Sequence, residues 1–307
     1  MNSSALPLRH FLLALAVVAI WGSNFVVIKL ALAHLPPLLF AALRFIFAVV
    51  PMVFFLKRPA VSWRNLAAFG LFTGVGQFAL LFLAMQGHIS PGLASLVIQM
   101  QVFFTIFLAM RLAHERVKSR QWLALAMAAT GIAIIGAHTD GSTTVGGLVM
   151  ILLAALSWSC GNIVVKRAGR INMVAYVAWS SLFSVPPLLI LSFAFEGWPA
   201  ISSGLRDADA TTWFAVFWQA TANSLFGYAA WGWLLARHPA ATVTPMALLV
   251  PVFGMAASSW WLGEQLPLWK LLAMAMVMGG LAINLFWRLD NPKIAVMPPK
   301  TSKRQRH

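Results

Sequence analysis

The chain has 307 residues, of which 61% are hydrophobic and only 9% are charged, and its mean hydropathy is +0.82. A soluble domain has roughly 25% charged and 45–50% apolar residues, so an ordinary soluble globular protein is excluded. The net charge of +15 would suggest nucleic acid, but the basic residues form short clusters between long apolar runs, as on the cytoplasmic face of a membrane. We therefore expect membrane lipid around the protein and no nucleic-acid partner.

Ten apolar runs follow one another along the chain, each of the roughly 20 residues with which an α-helix crosses a bilayer. Strands of a barrel would alternate polar and apolar residues, and these runs do not, so an all-α polytopic membrane protein is predicted. The first run is too long for a signal peptide and is interpreted as a retained span. The runs lie at 11–33, 38–56, 66–86, 92–112, 121–138, 147–166, 174–195, 212–236, 241–262 and 267–287.

The basic residues between the runs predict the orientation of the chain. With residues 1–10 in the cytoplasm, all of the 22 Lys and Arg residues fall on that side except Lys29, Arg44, Arg206 and Lys270. Both termini are therefore expected to be cytoplasmic. Residues 288–307 are basic and rich in proline, and we expect a disordered tail there.

An internal repeat relates the two halves of the chain. A shift of 137 residues superposes Trp21 on Trp158, and a shift of 149 superposes Glu115 on Glu264. Each half has an odd number of runs, so the halves must be inverted, as in secondary transporters that rock around a site near the midplane. A duplicated channel or membrane enzyme is the alternative. The predicted repeats are 11–138 and 147–287.

Two cations inside apolar runs are candidates for binding an anionic group of a substrate. Lys29 lies near the end of span 1, from which its side chain can also reach outward to the interface. Arg44 lies deeper in span 2, where bracing of neighbouring helices is the alternative to substrate binding. No Asp or Glu occurs in residues 1–114, so neither cation has an acidic partner in the first three spans.

Amides and aromatic residues near the middle of the spans are the other candidates. Asn24 and Asn162 fit substrate contact and interhelical hydrogen bonding equally well. Gln99 and Gln101 are about 200° apart on an ideal helix, so both are not expected to face one narrow cavity. Gly70 and Gly74 are interpreted as a close helix contact. The candidate cavity residues are Trp21, Asn24, Lys29, Arg44, Gln77, Gln99, Trp158, Asn162, Asn223, Tyr228 and Trp231.

Motifs for chemistry are missing from the sequence. It has no Ser/His/Asp set, no H-E-x-x-H and no Walker-type G-x-x-x-x-G-K-[ST], and the single Cys160 permits no internal disulfide. No Cys and His residues have zinc-ligand spacing. We therefore expect no enzyme, no metal and no cofactor.

The chain resembles the EamA-type members of the drug/metabolite transporter superfamily over residues 10–287. This resemblance implies ten helices in two inverted five-helix halves around a central cavity, lined from spans 1, 3, 4, 6, 8 and 9. The motifs that carry it include Trp21-Gly22-Ser23-Asn24-Phe25, Leu43-Arg44-Phe45, Gly92-Leu93-Ala94-Ser95, Gly161-Asn162-Ile163 and Gly263-Glu264.

Within that family, the stretches 24–29, 99–105 and 160–163 resemble those of bacterial members that export cysteine, O-acetylserine and related compounds. This implies alternating-access export of a small zwitterionic metabolite across the bacterial inner membrane. A broader multidrug or metabolite carrier is the main alternative, ahead of a channel or a membrane-embedded enzyme. Whether the protein is a monomer or a homodimer stays open.

Overall fold

The structure is a computed structural model that describes residues 6–113, 119–138, 143–169, 171–238 and 240–289. Within these residues the fold is all-α, as the composition predicts. The expected basic tail beyond residue 289 and the position of Glu115 lie outside the described residues.

The helices follow the predicted runs within a few residues at most boundaries. They are α1 (Leu8–Ala31), α2 (Pro37–Phe55), α3 (Trp63–Met85), α4 (91–113), α5 (Ser119–Ala137), α6 (Val145–Ala168), α7 (Met173–Ser181), α8 (185–196), α9 (Gly197–Asp207), α10 (210–237), α11 (240–262) and α12 (Leu268–Leu289).

Several helices change their hydrogen-bonding pattern along their length. Three contain π-helical segments, at Gly70–Ala79 in α3, Ser192–Glu196 in α8 and Gln219–Phe226 in α10. Helices α4 and α11 instead contain 3-10 segments, at Ile98–Met100 and Thr244–Leu248. Such interruptions are frequent at functional sites, because they redirect side chains that a regular helix would point elsewhere.

The sequence at the helix ends explains where the helices begin. Pro37 and Pro91 occupy first-turn positions, where a missing N–H costs no intrahelical hydrogen bond. The side chains of Ser62, Thr144 and Asp209 accept hydrogen bonds from backbone N–H groups of α3, α6 and α10.

Eight helical runs of the described residues are long and apolar enough to cross a membrane. The apolar part of α5, Gln121–Ala137, is shorter than the others. Helix α10 is long, but Gln219, Asn223 and its tryptophans lower its hydropathy, and it is not among the eight. The expected count of ten spans is therefore not reached by length and hydropathy alone.

The packing leaves a space at the centre of the bundle. Helix α1 packs against α10 and α11, α6 packs against α3 and α4, and α5 packs along α12. The connection between α8 and α10 forms a further helix, α9, which the sequence analysis did not predict. Gly204 of α9 lies so close to Pro36 that a Cβ atom there would overlap it.

Candidate functional site: a central cavity

A cavity of about 200 Å³ lies between α1, α3, α4, α6, α10 and α11, the same six spans that the family resemblance implies. Its described lining contains amide, aromatic and aliphatic side chains and no charged one. The lining residues are Trp21, Asn24, Phe25, Ile28, Gln77, Phe78, Leu81, Ile98, Gln99, Gln101, Trp158, Asn223, Tyr228, Trp231, Ala247 and Val250.

Trp21 is the centre of an aromatic cluster in the cavity wall. Its ring centroid lies 5.3 Å from that of Trp231 and 6.1 Å from that of Tyr228. Its indole Nε1 donates a hydrogen bond to the backbone oxygen of Asn223, 3.1 Å away. Gly227 makes room for the indole, since a Cβ atom at that position would overlap Nε1. The sequence of α10 therefore fixes the orientation of a tryptophan from α1.

The amides of the wall keep hydrogen-bonding capacity free. Asn24 and Gln77 are 5% and 4% exposed, and the side-chain oxygen of each is buried without a hydrogen-bond partner in the described ranges of the chain. Buried polar groups are nearly always hydrogen-bonded, so two unsatisfied amides beside one cavity indicate a place for a polar ligand or water. Asn223 donates instead to Gln219 Oε1, 3.3 Å away.

The structure corrects the expectation for Gln99 and Gln101, because both line the cavity. The 3-10 segment Ile98–Met100 interrupts α4 between these two glutamines, so the angle of an ideal α-helix does not apply. The angle of an ideal helix therefore wrongly separated Gln101 from Gln99, and Gln101 is a cavity residue that the list of candidates lacks.

Asn162 lies behind the wall and supports it. Its Nδ2 donates to Gln101 Oε1 at 2.8 Å and to Thr105 Oγ1 at 3.2 Å. The sequence leaves substrate contact and interhelical hydrogen bonding open for Asn162. The structure shows interhelical hydrogen bonding, between α6 and α4. Asn162 thereby orients the cavity residue Gln101.

Lys29 and Arg44 are not among the residues that line the cavity. Lys29 Nζ donates to the backbone oxygen of Met85 at 3.3 Å, where a cation also interacts favourably with the C-terminal end of a helix. Arg44 is 2% exposed, and its guanidinium lies 3.5 Å from the ring centroid of Phe78. Phe78 lines the cavity on its other side, so the ring separates Arg44 from the cavity. The other candidates, Trp21, Asn24, Gln77, Gln99, Trp158, Asn223, Tyr228 and Trp231, line it.

One end of the bundle consists of segments 32–36, 86–90, 197–209 and 263–267, and we call it the α9 face. Sequence reasoning missed a buried ion pair at this face. Lys270 Nζ donates to Glu264 Oε1 at 2.9 Å, and both side chains are less than a tenth exposed. Ser90 Oγ, Ser258 Oγ and the Gly92 backbone N–H also donate to this carboxylate. Glu264 therefore ties the start of α4 to the end of α11 and the start of α12.

Burial by itself raises the pKa of Glu264, but the hydrogen bonds from Ser258, Ser90 and Lys270 outweigh burial and hold the pKa below its ordinary value of 4.5. The carboxylate is therefore ionised at neutral pH. The repeat and the Gly263-Glu264 motif single out Glu264 in the sequence, but its pairing with Lys270 has no sequence signature.

A second carboxylate makes a similar connection on the α9 face. Glu196 accepts hydrogen bonds from the backbone N–H groups of Leu38 and Leu39, at 2.6 and 3.1 Å, and from Ser192 Oγ. A carboxylate at a helix N-terminus is also favoured by the helix dipole. Glu196 thus holds the start of α2 as Glu264 holds the start of α4.

The space inside the protein continues away from the α9 face. A second cavity of about 210 Å³ shares Gln99, Gln101 and Ala247 with the central one. Thr244, near the start of α11, and Asn284, near the end of α12, also line it. The two cavities together run from the middle of the bundle towards the face that is opposite to the α9 face.

Over the residues that the structure describes, the helical bundle has eight membrane-length apolar runs and a central cavity, which define a multi-pass membrane protein. A family model described as the EamA-like transporter family matches residues 8–137 and 145–286. The chain belongs to the EamA-like transporter family.

Relatives of the same length support this assignment. A protein of Salmonella typhimurium described as a probable amino-acid metabolite efflux pump is 40% identical over 280 residues, 89% of this chain and 94% of the relative. An Escherichia coli protein of the same description is 38% identical, over 90% of this chain and 95% of the relative. A Streptantibioticus cattleyicolor protein described as a probable terminal-alkyne amino-acid exporter is 26% identical, over 74% of this chain and 73% of the relative.

A solved crystal structure with 17% sequence identity has the same fold. It superposes with a TM-score of 0.60 and covers 91% of this chain and 96% of the solved chain.

Proposed function

We propose that the protein exports small neutral amino acids or their derivatives, of the cysteine and O-acetylserine type, across the bacterial inner membrane by alternating access. The observation that carries this proposal is the uncharged, amide- and tryptophan-lined cavity at the centre of a transporter fold. The relatives described as amino-acid metabolite efflux pumps support the substrate class.

The uncharged, polar cavity wall suits a zwitterion, which has no net charge. Amides both donate and accept hydrogen bonds, so Asn24, Gln77 and Gln99 can contact a carboxylate as well as an ammonium group. The faces of Trp21 and Trp158 attract an ammonium group through cation–π interaction. The central cavity itself, without the second cavity that leads from it towards the other face, has a volume of about 200 Å³. This is below the roughly 300–1,000 Å³ of pockets for drug-sized ligands, which favours a small metabolite over a multidrug substrate at the central site.

Ten spans in two inverted halves are part of this proposal. The π-helical segments of α3 and α10 begin at Gly70 and Gln219, positions that are 149 residues apart, which is the shift that also superposes Glu115 on Glu264. The packing is reciprocal under the repeat: α1 contacts α10 and α11, and α6 contacts α3 and α4. An inverted repeat of this kind supplies two related conformations in which the central site opens to opposite sides.

The difference between the α9 face and the opposite face indicates the side to which the cavity opens. Glu196, Glu264 and Lys29 connect helix ends on the α9 face, whereas the second cavity extends towards the other face. The positive-inside rule assigns that other face, with Lys57, Arg58 and their neighbours, to the cytoplasm. The conformation described is then open inward and ready to load a cytoplasmic substrate.

The test is uptake into everted membrane vesicles that contain the protein, with vesicles lacking it as the control. We expect saturable uptake of labelled cysteine or O-acetylserine, stimulated by the same unlabelled compound on the opposite side, with the compound recovered chemically unchanged. The measurement is repeated with and without a proton gradient to define the driving force.

Three outcomes would contradict the proposal. Flux that does not saturate and shows no counter-stimulation would indicate a channel. Recovery of an altered compound would indicate an enzyme. Transport of a cationic dye such as ethidium without transport of amino acids would favour a multidrug carrier.

A further inference from the structure

Arg44 is a buried cation whose charge the described residues do not balance. Its side chain is 2% exposed, and its one hydrogen bond within the described part of the chain joins Nη2 to Ser224 Oγ at 3.0 Å. The Nε and Nη1 groups have no hydrogen-bond partner among those same residues. Among the described residues, no carboxylate pairs with Arg44, since the ion pairs found there involve His34 and Lys270.

The aromatic rings around the guanidinium compensate only in part for the missing counter-charge and the missing hydrogen bonds. The guanidinium carbon lies 3.5 Å from the ring centroid of Phe78 and 5.2 Å from that of Phe45. Cation–π contacts stabilise the charge but accept no N–H hydrogen bond at Nε or Nη1. A guanidinium cannot be deprotonated in a protein, so the charge remains and needs a partner in this apolar interior.

A small cavity of about 10 Å³, here called the Arg44 pocket, lies beside the guanidinium. Hydroxyl groups of α3 and of the segment 180–184 line it together with Arg44. Thr73 Oγ1 and Ser180 Oγ are buried, and no residue that the structure describes pairs with them. Ser181 and Ser184 already donate to the backbone oxygens of Val177 and Gly70. The pocket thus gathers several unsatisfied donors in one place.

We propose that the Arg44 pocket binds one small monovalent anion, such as chloride, as the counter-ion of Arg44. Two guanidinium N–H groups and the hydroxyls of Thr73 and Ser180 supply four donors, and an anion accepts all of them. Water could accept some of these hydrogen bonds, but it would leave the positive charge unbalanced.

The size and position of the pocket distinguish this anion from the transported substrate. A cavity of about 10 Å³ has room for a particle about the size of one water molecule, and no amino acid fits into it. Phe78 and Tyr228 line both the Arg44 pocket and the central cavity, so they form the wall between the two. The anion therefore stabilises the wall from behind and does not compete for the substrate site. This inference does not depend on which substrate is transported.

The test measures the melting temperature of the purified full-length protein in detergent, in sodium chloride and in sodium gluconate of equal ionic strength. Gluconate is too large for the pocket. Because a ligand that binds only the folded state stabilises it, we expect a melting temperature at least about 2 °C higher in chloride. Arg44→Met should lose this difference.

Two neighbouring serines provide a matched pair in case Arg44→Met folds poorly. Ser180 and Ser181 are both buried and both line the pocket, but only the Ser180 hydroxyl is free to bind an anion. Ser180→Ala should raise the chloride concentration of half-maximal stabilisation about tenfold, since it removes one hydrogen bond to a charged group. Ser181→Ala should leave that concentration unchanged.

Equal melting temperatures of the wild type in chloride and gluconate would overturn the proposal and indicate that only water occupies the Arg44 pocket. The same holds if Ser180→Ala and Ser181→Ala shift the chloride dependence equally. Stabilisation by cysteine in gluconate that is absent from Arg44→Met would instead assign the guanidinium to the substrate carboxylate, which also overturns the proposal. Failure of amino-acid transport in vesicles would leave the chloride effect intact, so the two proposals fail separately.

Discussion

At the scale of single residues, the central cavity presents amide dipoles and aromatic ring faces. Asn24 and Gln77 are almost fully buried, and each keeps an oxygen that no described residue pairs with, a condition that costs free energy unless a ligand or water satisfies it. The tryptophans beside them are held by interhelical contacts, as for Trp21. Both features would preorganise the proposed substrate site.

Gln77→Met tests the role of an amide at the cavity wall. The substitution keeps a side chain of similar size but removes a hydrogen bond to a charged group of the substrate, which is worth about 1.5–3 kcal/mol. We expect transport of labelled cysteine at low concentration to fall about tenfold or more. Gln265→Met is the matched control, because Gln265 is exposed in the α11–α12 loop and its side chain donates to the Gly263 backbone oxygen, away from the cavity. Equal transport by both variants would exclude Gln77 from the site.

Glu264→Gln tests the ion pair on the α9 face. Removal of the carboxylate leaves Lys270 buried without a counter-charge, a loss of about 3–5 kcal/mol for a buried pair. We expect a clear fall in the melting temperature of the purified protein. Glu264→Gln combined with Lys270→Met should recover part of the loss, because the unpaired charge is gone. A double variant that is less stable than Glu264→Gln would contradict this.

The stability of the wild type should also depend on pH through Glu264. Its pKa is lower in the folded protein than its ordinary value of 4.5, so the unfolded state takes up a proton first as the pH falls. The stabilisation is therefore fully present above the ordinary pKa and is lost progressively below it. Melting curves between pH 7 and pH 3 should show a fall in melting temperature that is smaller in Glu264→Gln.

At the scale of helices, small residues bring α3 close to the end of α7 and to the residues that follow it. A Cβ atom at Gly70 would overlap the backbone oxygen of Ser180, and one at Gly74 would overlap the Ser184 side chain. This is the close helix contact predicted from the glycine spacing. The same approach places the Ser180 hydroxyl beside the Arg44 pocket. Packing of two helices thus shapes a polar site.

Gly74→Val should destabilise the protein by about 1–3 kcal/mol, the usual range for overpacking of a core. Gly232→Ala is the control, since a Cβ atom at Gly232 of α10 has no neighbour within 4 Å. Alanine is also a better helix former than glycine, so this control should melt no lower than the wild type. The measurement is the melting temperature of both purified variants, and equal melting temperatures would contradict a close contact at Gly74.

At the scale of the whole molecule, the proposed inward-open state depends on the orientation of the two faces. The single Cys160 can be replaced by serine, which gives a background for cysteine labelling. We expect a membrane-impermeant maleimide to label Arg206→Cys on α9 in cells with a permeabilised outer membrane and an intact inner membrane. Arg64→Cys, near the start of α3, should be labelled only after the inner membrane is opened. Both positions are exposed, so the reverse pattern would place the cavity opening outside.

The sequence predicted the helices well, because a bilayer imposes a length and an apolar composition that can be read from each segment alone. The same local rules selected residues such as Trp21 and Gln77, which are polar or aromatic at mid-span depth and line the cavity. They could not place Gln101, because the interruption of α4 that turns it into the cavity has no proline or other signal in the sequence.

The sequence by itself determined that this chain is a helical membrane protein, because hydropathy and charge are properties of single segments, and it predicted a two-fold repeat. Only the tertiary structure decided which intramembrane groups meet. Arg44 and Phe78, or Glu264 and Ser90, are far apart in the sequence and come together only when helices pack. Burial and partners determine whether a polar group binds a ligand or supports the wall, and both arise from packing.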